Sequence, residues 1–468
     1  MIKKFLISIF SVVIALIFLV TAGRGYLFVN QESELKPWHE RSKFPEPQYK
    51  DFNTLEDYLR AEEEFLDKAY NEVAQKKGNE FNRYLKGDIS DPYMEGKNIN
   101  LSNQMIPENI RGGVLILHGL SDSPYLTRDL AKIFYDKGYY VLALRYQYHG
   151  THPGEMNKLD WKDFIETAKF GSQMVKKKIE NIPDAKFFMA GYSTGAAVSL
   201  YYTAEETLKN SELPMPDKLF WYSPAMGISP AAKFAFLDIW LSKIPYFHKF
   251  QWLDILPEYD SGKYNSFPKN AAVQVDKVIT QSKKAAHHLL EKENGKFPPI
   301  YAYTSLEDAT VNEWDLFQIL GEIQNDNGEL VIFDANRKFN EFLKKKIRNL
   351  EFVDVLKDSK IKGEITLVTN YEDPRNPQAT VYRSKDGKVE IVETVEPLIW
   401  DPFTFSLAHL SIPVSPDNLI YGKNTILGEI NIKGEKNITL INSENFIRLR
   451  YNQFFNFLKE NMEKNMED

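Results

Sequence analysis

The chain contains no cysteine. Disulfides, thiol nucleophiles and cysteine-ligated metals are therefore excluded. It also lacks a dominant charge: 58 Lys and Arg against 65 Asp and Glu leave −7 over 468 residues, with both signs mixed. Neither a nucleic-acid footprint nor a polyanionic tail follows from such a balance. No G-x-x-x-x-G-K-[ST] loop occurs and no G-x-G-x-x-G follows the first strand-like run, so the common phosphate-cradling signatures are missing. Histidine is sparse, at eight residues, and His118, His149 and His152 sit in no carboxylate or His-x-x-x-His pattern. The residues thus give no reason to expect a metal or other cofactor. Internal repeats and low-complexity tracts are absent as well.

What remains is a chain that is 43% hydrophobic, enough for a full-sized core and a second lobe. Lys3 and Lys4 precede an uncharged apolar run from Phe5 to Val20, followed by Thr21-Ala22-Gly23. That reads as a targeting segment, residues 1–22, near the length of about 20 that spans a membrane. An uncleaved transmembrane anchor and a cleaved signal both fit. The short basic N-terminus places the body on the outer side, periplasmic or at the cell surface, or secreted after cleavage. Residues 23–53 are polar, with Pro37, Pro45 and Pro47, and read as a tether carrying His39. A helical extension follows over 54–110, with a charged helix from Leu55 to Gln75 and an irregular stretch from 80.

The regular body begins at the buried strand Arg111 to Leu117. Leu126 to Asp136 reads as a helix, Tyr139 to Leu144 as a strand, and Asp160 caps the next helix. Phe187 to Ala190 and Lys218 to Tyr222 are further strands. Such alternation predicts an α/β fold with a doubly wound, mostly parallel sheet, whose working residues lie at the carboxyl ends of strands. The pattern breaks over 230–298, an aromatic helical stretch read as an inserted lid. Its Phe234, Phe236, Trp240, Tyr246, Phe247, Phe250 and Trp252 are assigned mainly to the lid's own core. Strands resume at Pro299 to Thr304 and Leu330 to Phe333. A helical stretch over 340–358, strands at Ile365 to Val368, Ala379 to Ser384 and Lys388 to Val395, a hairpin at Asp386-Gly387 and a C-terminal helix from about Glu444 to Met462 complete the reading.

The chemistry is carried by Gly191-Tyr192-Ser193-Thr194-Gly195, set between a strand and a helix-forming stretch. A sharp strand-to-helix turn holds a serine hydroxyl clear of its neighbours, where a base can activate it. An oxyanion pocket should come from the end of an earlier strand, where His118-Gly119-Leu120-Ser121-Asp122-Ser123-Pro124 follows Leu117. The backbone amides of Leu120 and Thr194 are its candidate donors, and His118 reads as a structural hydrogen-bonder. Asp308, after the strand ending at Thr304, is the candidate acid, ahead of its neighbour Glu307 and the later Asp334. His409 is the one histidine downstream of Asp308, so nucleophile–acid–base order selects it as the base.

Five motifs together, H-G-L-S-D-S-P (118–124), R-Y-Q-Y-H-G-T-H-P (145–153), G-Y-S-T-G (191–195), E-D-A-T-V (307–311) and A-H-L-S-I-P (408–413), resemble the α/β-hydrolase superfamily. The chain is most similar to its serine carboxylesterase, monoacylglycerol-lipase and serine-aminopeptidase-like branch. The resemblance covers residue 110 onward and implies a core over 111–229 and 299–468, with a lid between the sixth and seventh strands at 230–298. It departs from the pattern between Val311 and His409, where this chain is longer. The expected activity is hydrolysis of carboxylic esters, acyl or lipid-like, through Ser193, Asp308 and His409 and an acyl-enzyme. The expected partners are an ester substrate and, through the N-terminal segment, a membrane. Two alternatives stay open: an exopeptidase using the same triad, with Glu258 or Asp260 holding a substrate ammonium, and a non-catalytic hydrolase-like binding protein.

Overall fold

The structure, a computed structural model, describes residues 34–76, 82–227, 235–292, 295–334 except 307 and 309, 360–370, 377–394, 396–400, 407–428 and 449–467, with isolated positions between 10 and 26. Among these residues no helix is long and apolar enough to cross a membrane. Most of the run Phe5 to Val20, the helical stretch at 340–358 and Glu307 lie outside the described residues.

Ten strands form one sheet. In chain order they are β1 (Asn103–Met105), β2 (Gly112–Leu117), β3 (Tyr139–Leu144), β4 (Lys186–Tyr192), β5 (Lys218–Tyr222), β6 (Ile300–Ser305), β7 (Glu329–Asp334), β8 (Glu364–Thr369), β9 (Thr380–Lys385) and β10 (Lys388–Val392). Their spatial order is β10-β9-β8-β7-β6-β5-β4-β2-β3-β1. The inner strands from β8 to β3 run parallel, while β1, β9 and β10 close the two edges antiparallel. Every residue of β2, β3, β6 and β7 is buried. Unbroken apolar runs of this kind are what a sheet covered on both faces requires.

One face is covered by α3 (Trp161–Ile179), α4 (Thr194–Leu208) and α7 (Glu313–Ile323), in one apolar cluster with Leu115, Leu117 and Met189, and α6 (Lys269–Leu290) packs on α4. The other is covered by α2 (Arg128–Asp136) and α8 (Phe455–Glu467), which pack on Val114, Ile116 and Phe188. Adjacent residues of β2 thus serve opposite layers, as the two-residue repeat of a strand demands. The chain order reverses between β2 and β4, and Leu117 pairs with Gly191 there. In open parallel sheets that switch point is where ligands bind.

The remaining helices lie outside the sheet's sandwich: α1 (Leu55–Ala74) in the N-terminal extension and α5 (Ala235–Leu241) in the insertion between β5 and β6. The hairpin at Asp386-Gly387 joins β9 to β10, both residues holding positive φ of 51° and 74°.

Three expectations change. The stretch assigned to a tether is, from residue 34 on, part of the folded body: Trp38, His39 and Tyr49 are buried. Its anchor is electrostatic as well as apolar. Glu46 and Glu62 both pair with the fully buried Arg145, at 2.6 and 2.8 Å, and the Tyr49 hydroxyl donates to the Arg145 carbonyl. A polar, proline-rich composition does not reveal such a partner 99 residues away. Second, the irregular stretch before the body contributes the edge strand β1. Third, the C-terminal helix starts at Phe455, not Glu444. The Asn452 side chain accepts the Phe454 amide, a local bond that competes with helix and displaces its start; positions 444–448 lie outside the described residues.

Candidate active site

Ser193 leaves β4 with φ +52° and ψ −113°, a conformation that L-residues rarely adopt, and α4 begins at the next residue. Neighbouring bonds impose it. The Ser193 amide donates to the Tyr222 carbonyl at 2.9 Å, and the Ser193 carbonyl accepts from Ala196 and Ala225, both at 3.1 Å. A Cβ on Gly195 would run into the Leu117 carbonyl, and one on Gly119 would meet the Tyr192 ring at 2.8 Å. The two glycines therefore let the β2 loop and the β4–α4 turn touch. A non-glycine residue in such a region costs of order 1–3 kcal/mol and concentrates at functional sites.

The β2 loop is set by His118. Its Nε2 accepts the Tyr146 amide at 3.0 Å, so its Nδ1 carries the proton and donates to the Gly119 carbonyl at 2.8 Å. Burial, with His149 alongside, pushes the ring's pKa well below its ordinary value, which keeps it in this neutral tautomer. The Gly119 carbonyl and the Leu120 amide belong to one planar peptide. Holding the former therefore orients the latter.

His409 heads a short 3-10 turn, His409–Ser411, which follows the last strand, β10, in the chain. Its Nδ1 lies 2.6 Å from Asp308 Oδ2, with both side chains buried. Asp308 Oδ1 accepts the amides of Thr310 and Val311 at 2.7 and 3.2 Å, and the His409 carbonyl accepts the Ser223 hydroxyl at 3.1 Å. Asp308 and His409, 101 residues apart in the chain, are thus brought together. Asp334 is not in this group; its carboxylate accepts from Thr369 at 3.0 Å on β8.

Ser193, Thr194, Leu120 and His409 all line one cavity of about 810 Å³. The insertion supplies its apolar wall, with Leu253, Leu256, Phe267 and Val275. Asp122, Lys263 and Arg450 also face it, and the motif-based reading assigned no role to any of them. Asp122 lies inside H-G-L-S-D-S-P and was open to inspection; nothing in the local sequence marks Lys263 or Arg450. Burial pushes the Asp122 carboxyl up to about 6, against the pull of Lys263 at 3.8 Å. Glu258 and Asp260, considered as ammonium binders, are not free. Glu258 accepts the Asn265 and Ser266 amides, and Asp260 takes the Tyr421 hydroxyl at 2.5 Å and pairs with Arg450. Among the described residues, no group of three or more His, Asp or Glu could hold a metal ion.

The profile of the serine aminopeptidase S33 family matches residues 108–283, from the strand before the His118 loop into α6. Over that span the chain is similar to the α/β-hydrolase superfamily. The chain is 32% identical over 94 residues to a thermostable monoacylglycerol lipase of a Bacillus species, across 20% of its own length. It spans only about a third of that relative, 36%. Among solved structures it is similar to the metagenome-derived lipolytic enzymes LipS and LipT, with 20% identity, 49% and 86% of the two chains covered and a TM-score of 0.37. It is also similar to a soluble variant of monoglyceride lipase from Saccharomyces cerevisiae, at 15% identity, 55% and 89% coverage and a TM-score of 0.36.

Proposed function

We propose that the chain is a serine hydrolase of carboxylic esters with acyl or lipid-like chains. The observation that carries this reading is the left-handed φ of Ser193 at a strand-to-helix turn, in a cavity shared with the Asp308-paired His409. Ser193 Oγ attacks the ester carbonyl and passes its proton to His409 Nε2, the ring nitrogen not engaged by Asp308. The carbonyl oxygen, now negative, accepts from the Leu120 and Thr194 amides; each such donor is typically worth on the order of 10²–10³ in rate. His409 returns the proton to the departing alcohol. Water, deprotonated by the same imidazole, then cleaves the acyl-enzyme.

The substrate class is supported by the cavity wall of Leu253, Leu256, Phe267 and Val275. An exopeptidase would require a free carboxylate for the substrate ammonium, and the engagement of Glu258 and Asp260 weighs against them in that role. The insertion over 230–298 is read as the lid. It carries exposed Phe236, Leu237 and Trp240 (57%, 50% and 64%) next to the cavity-lining Ala235 and Asp238, a surface suited to lipid. The N-terminal segment is read as a membrane anchor that leaves the body on the outer side; of its described positions Phe10, Leu16 and Leu19 are exposed.

The full-length chain should label with a fluorophosphonate and hydrolyse p-nitrophenyl esters in a chain-length series, whereas Ser193→Ala should do neither. Labelling that survives Ser193→Ala refutes the nucleophile. Faster release of amino-acid anilides than of esters would establish the exopeptidase reading, and no turnover of either would establish the binding-protein reading. Protease accessibility of the body on intact cells tests the location.

A further inference from the structure

The oxyanion loop is gripped from outside the hydrolase core. The Ser121 carbonyl, one residue beyond Leu120 in a backbone at φ +64°, accepts the Tyr264 amide of the insertion at 2.8 Å. Tyr264 does not stand alone. Its turn is held by Arg83, a buried residue of the N-terminal extension. Arg83 Nη1 donates to the carbonyls of Asp260 and Lys263 at 3.0 and 2.9 Å. Its own amide donates to the Glu258 carbonyl at 2.9 Å, and its guanidinium lies 5.7 Å from the centre of the Tyr264 ring. Asn100, from the same extension, donates to the Ser261 carbonyl at 2.9 Å. On its far side, Arg83 is fixed by the Tyr70 hydroxyl of α1, which accepts from Nε and Nη2 at 3.1 and 2.6 Å. Four carbonyls of one short turn are thus engaged by donors from the extension. The turn cannot shift without stranding buried polar groups, each costing about 1–3 kcal/mol.

We infer that Arg83 is a positioning residue of the oxyanion pocket, acting through the 258–264 turn on the Ser121 carbonyl. The inference rests on the proposed role of the Leu120 amide. That amide is oriented from its own peptide by His118 on the Gly119 carbonyl, and from the following residue by Tyr264 on Ser121. Oxyanion donors act at full strength only when held to within about 0.5 Å of the position the charged oxygen will take. A charged fork with two carbonyl acceptors and one hydroxyl acceptor supplies that rigidity from outside the parallel sheet.

Full-length Arg83→Ala is compared with the unsubstituted chain, rates being expressed per active site titrated with a fluorophosphonate so that unfolded protein is not counted. We expect kcat on a p-nitrophenyl ester to fall roughly 10- to 100-fold with KM changed less than about threefold, as for loss of an interaction made in the transition state. The inhibition constant of an alkyl trifluoromethyl ketone should rise by the same factor as kcat/KM falls. If Arg83→Ala does not fold, Tyr70→Phe, which removes the acceptor for Nε and Nη2, should lower kcat roughly three- to tenfold in the same selective way. An unchanged kcat per titrated site in the folded variant overturns the inference while leaving the ester-hydrolase reading intact. Failure of the unsubstituted chain to label and to turn over any ester overturns both.

Discussion

The two halves of the insertion before α6 share an aromatic content and little else. In residues 235–251, Phe236, Trp240 and Tyr246 are exposed at 57%, 64% and 57%. In residues 252–268, Trp252, Glu258, Asp260 and Ser266 are buried. The outer half rests against α6, while the inner half is bound to several separate parts of the chain, among them the extension through Arg83, the loop after β2 through Tyr264, and the C-terminal region through Arg450. Aromatic content therefore says nothing about which half can move. What distinguishes them is whether buried polar groups find partners in other elements, since each such bond must be unmade before the segment departs.

The largest effect should come from Asp260. Asp260→Ala strands the Arg450 guanidinium beside the cavity, and losing one partner of a buried pair typically costs roughly 3–5 kcal/mol. Urea unfolding measures it; a loss under about 1 kcal/mol would mean that the inner half is as loosely held as the outer. Next is His39, which bonds Ser266 at 2.9 Å and whose pKa is lowered to about 3, chiefly by burial. The folded ring stays neutral while the unfolded ring takes up a proton near 6.5. Its contribution is present above about 6.5 and drains away as pH falls toward 3. His39→Gln should remove a slope approaching about 1.4 kcal/mol per pH unit in that window, seen as a shallower fall of stability with acid. Parallel pH curves for the two proteins would disprove it.

Tyr264→Phe removes a hydroxyl that accepts the Thr151 amide at 2.8 Å and donates to the Tyr148 carbonyl at 3.2 Å. A loss of about 1–2 kcal/mol is expected in the same unfolding assay, and none at all would show that the Tyr264 hydroxyl does not help to hold the inner half. The smallest effect on stability belongs to the outer half. Trp240→Ser and Phe236→Ser should stay within about 0.5 kcal/mol of the unsubstituted chain, while turnover of long-chain esters falls relative to acetates. Destabilisation as large as that of Tyr264→Phe would erase the distinction between the halves.

How much of this was legible beforehand follows the same division. The strands from Val114 to Leu117 and from Tyr139 to Leu144 announce themselves because burial on both faces writes an unbroken apolar run into the local sequence. The turn at Ser193 and the loop at His118 are local too, and chain order singles out His409. The aromatics of the insertion were read mainly as its core, but of those among the described residues only Phe250 and Trp252 are buried, and Phe234 lies outside the described residues. Arg83 and Arg450 were missed, and Asp260 was read only as a possible ammonium binder, for a different reason. Their partners lie 177 and 190 residues away, and an isolated charge in a sequence looks the same whether it faces water or a buried carboxylate.

The pairing of Arg145 with Glu46 and Glu62 has a practical side. Composition suggests trimming the polar stretch at residue 53 to obtain the folded body alone. That cut would discard Glu46 and Tyr49 together and leave a buried guanidinium with half its counter-charge. A protein shortened to begin just before Pro37 keeps the clasp closed; one begun at residue 54 should be recovered largely as aggregate.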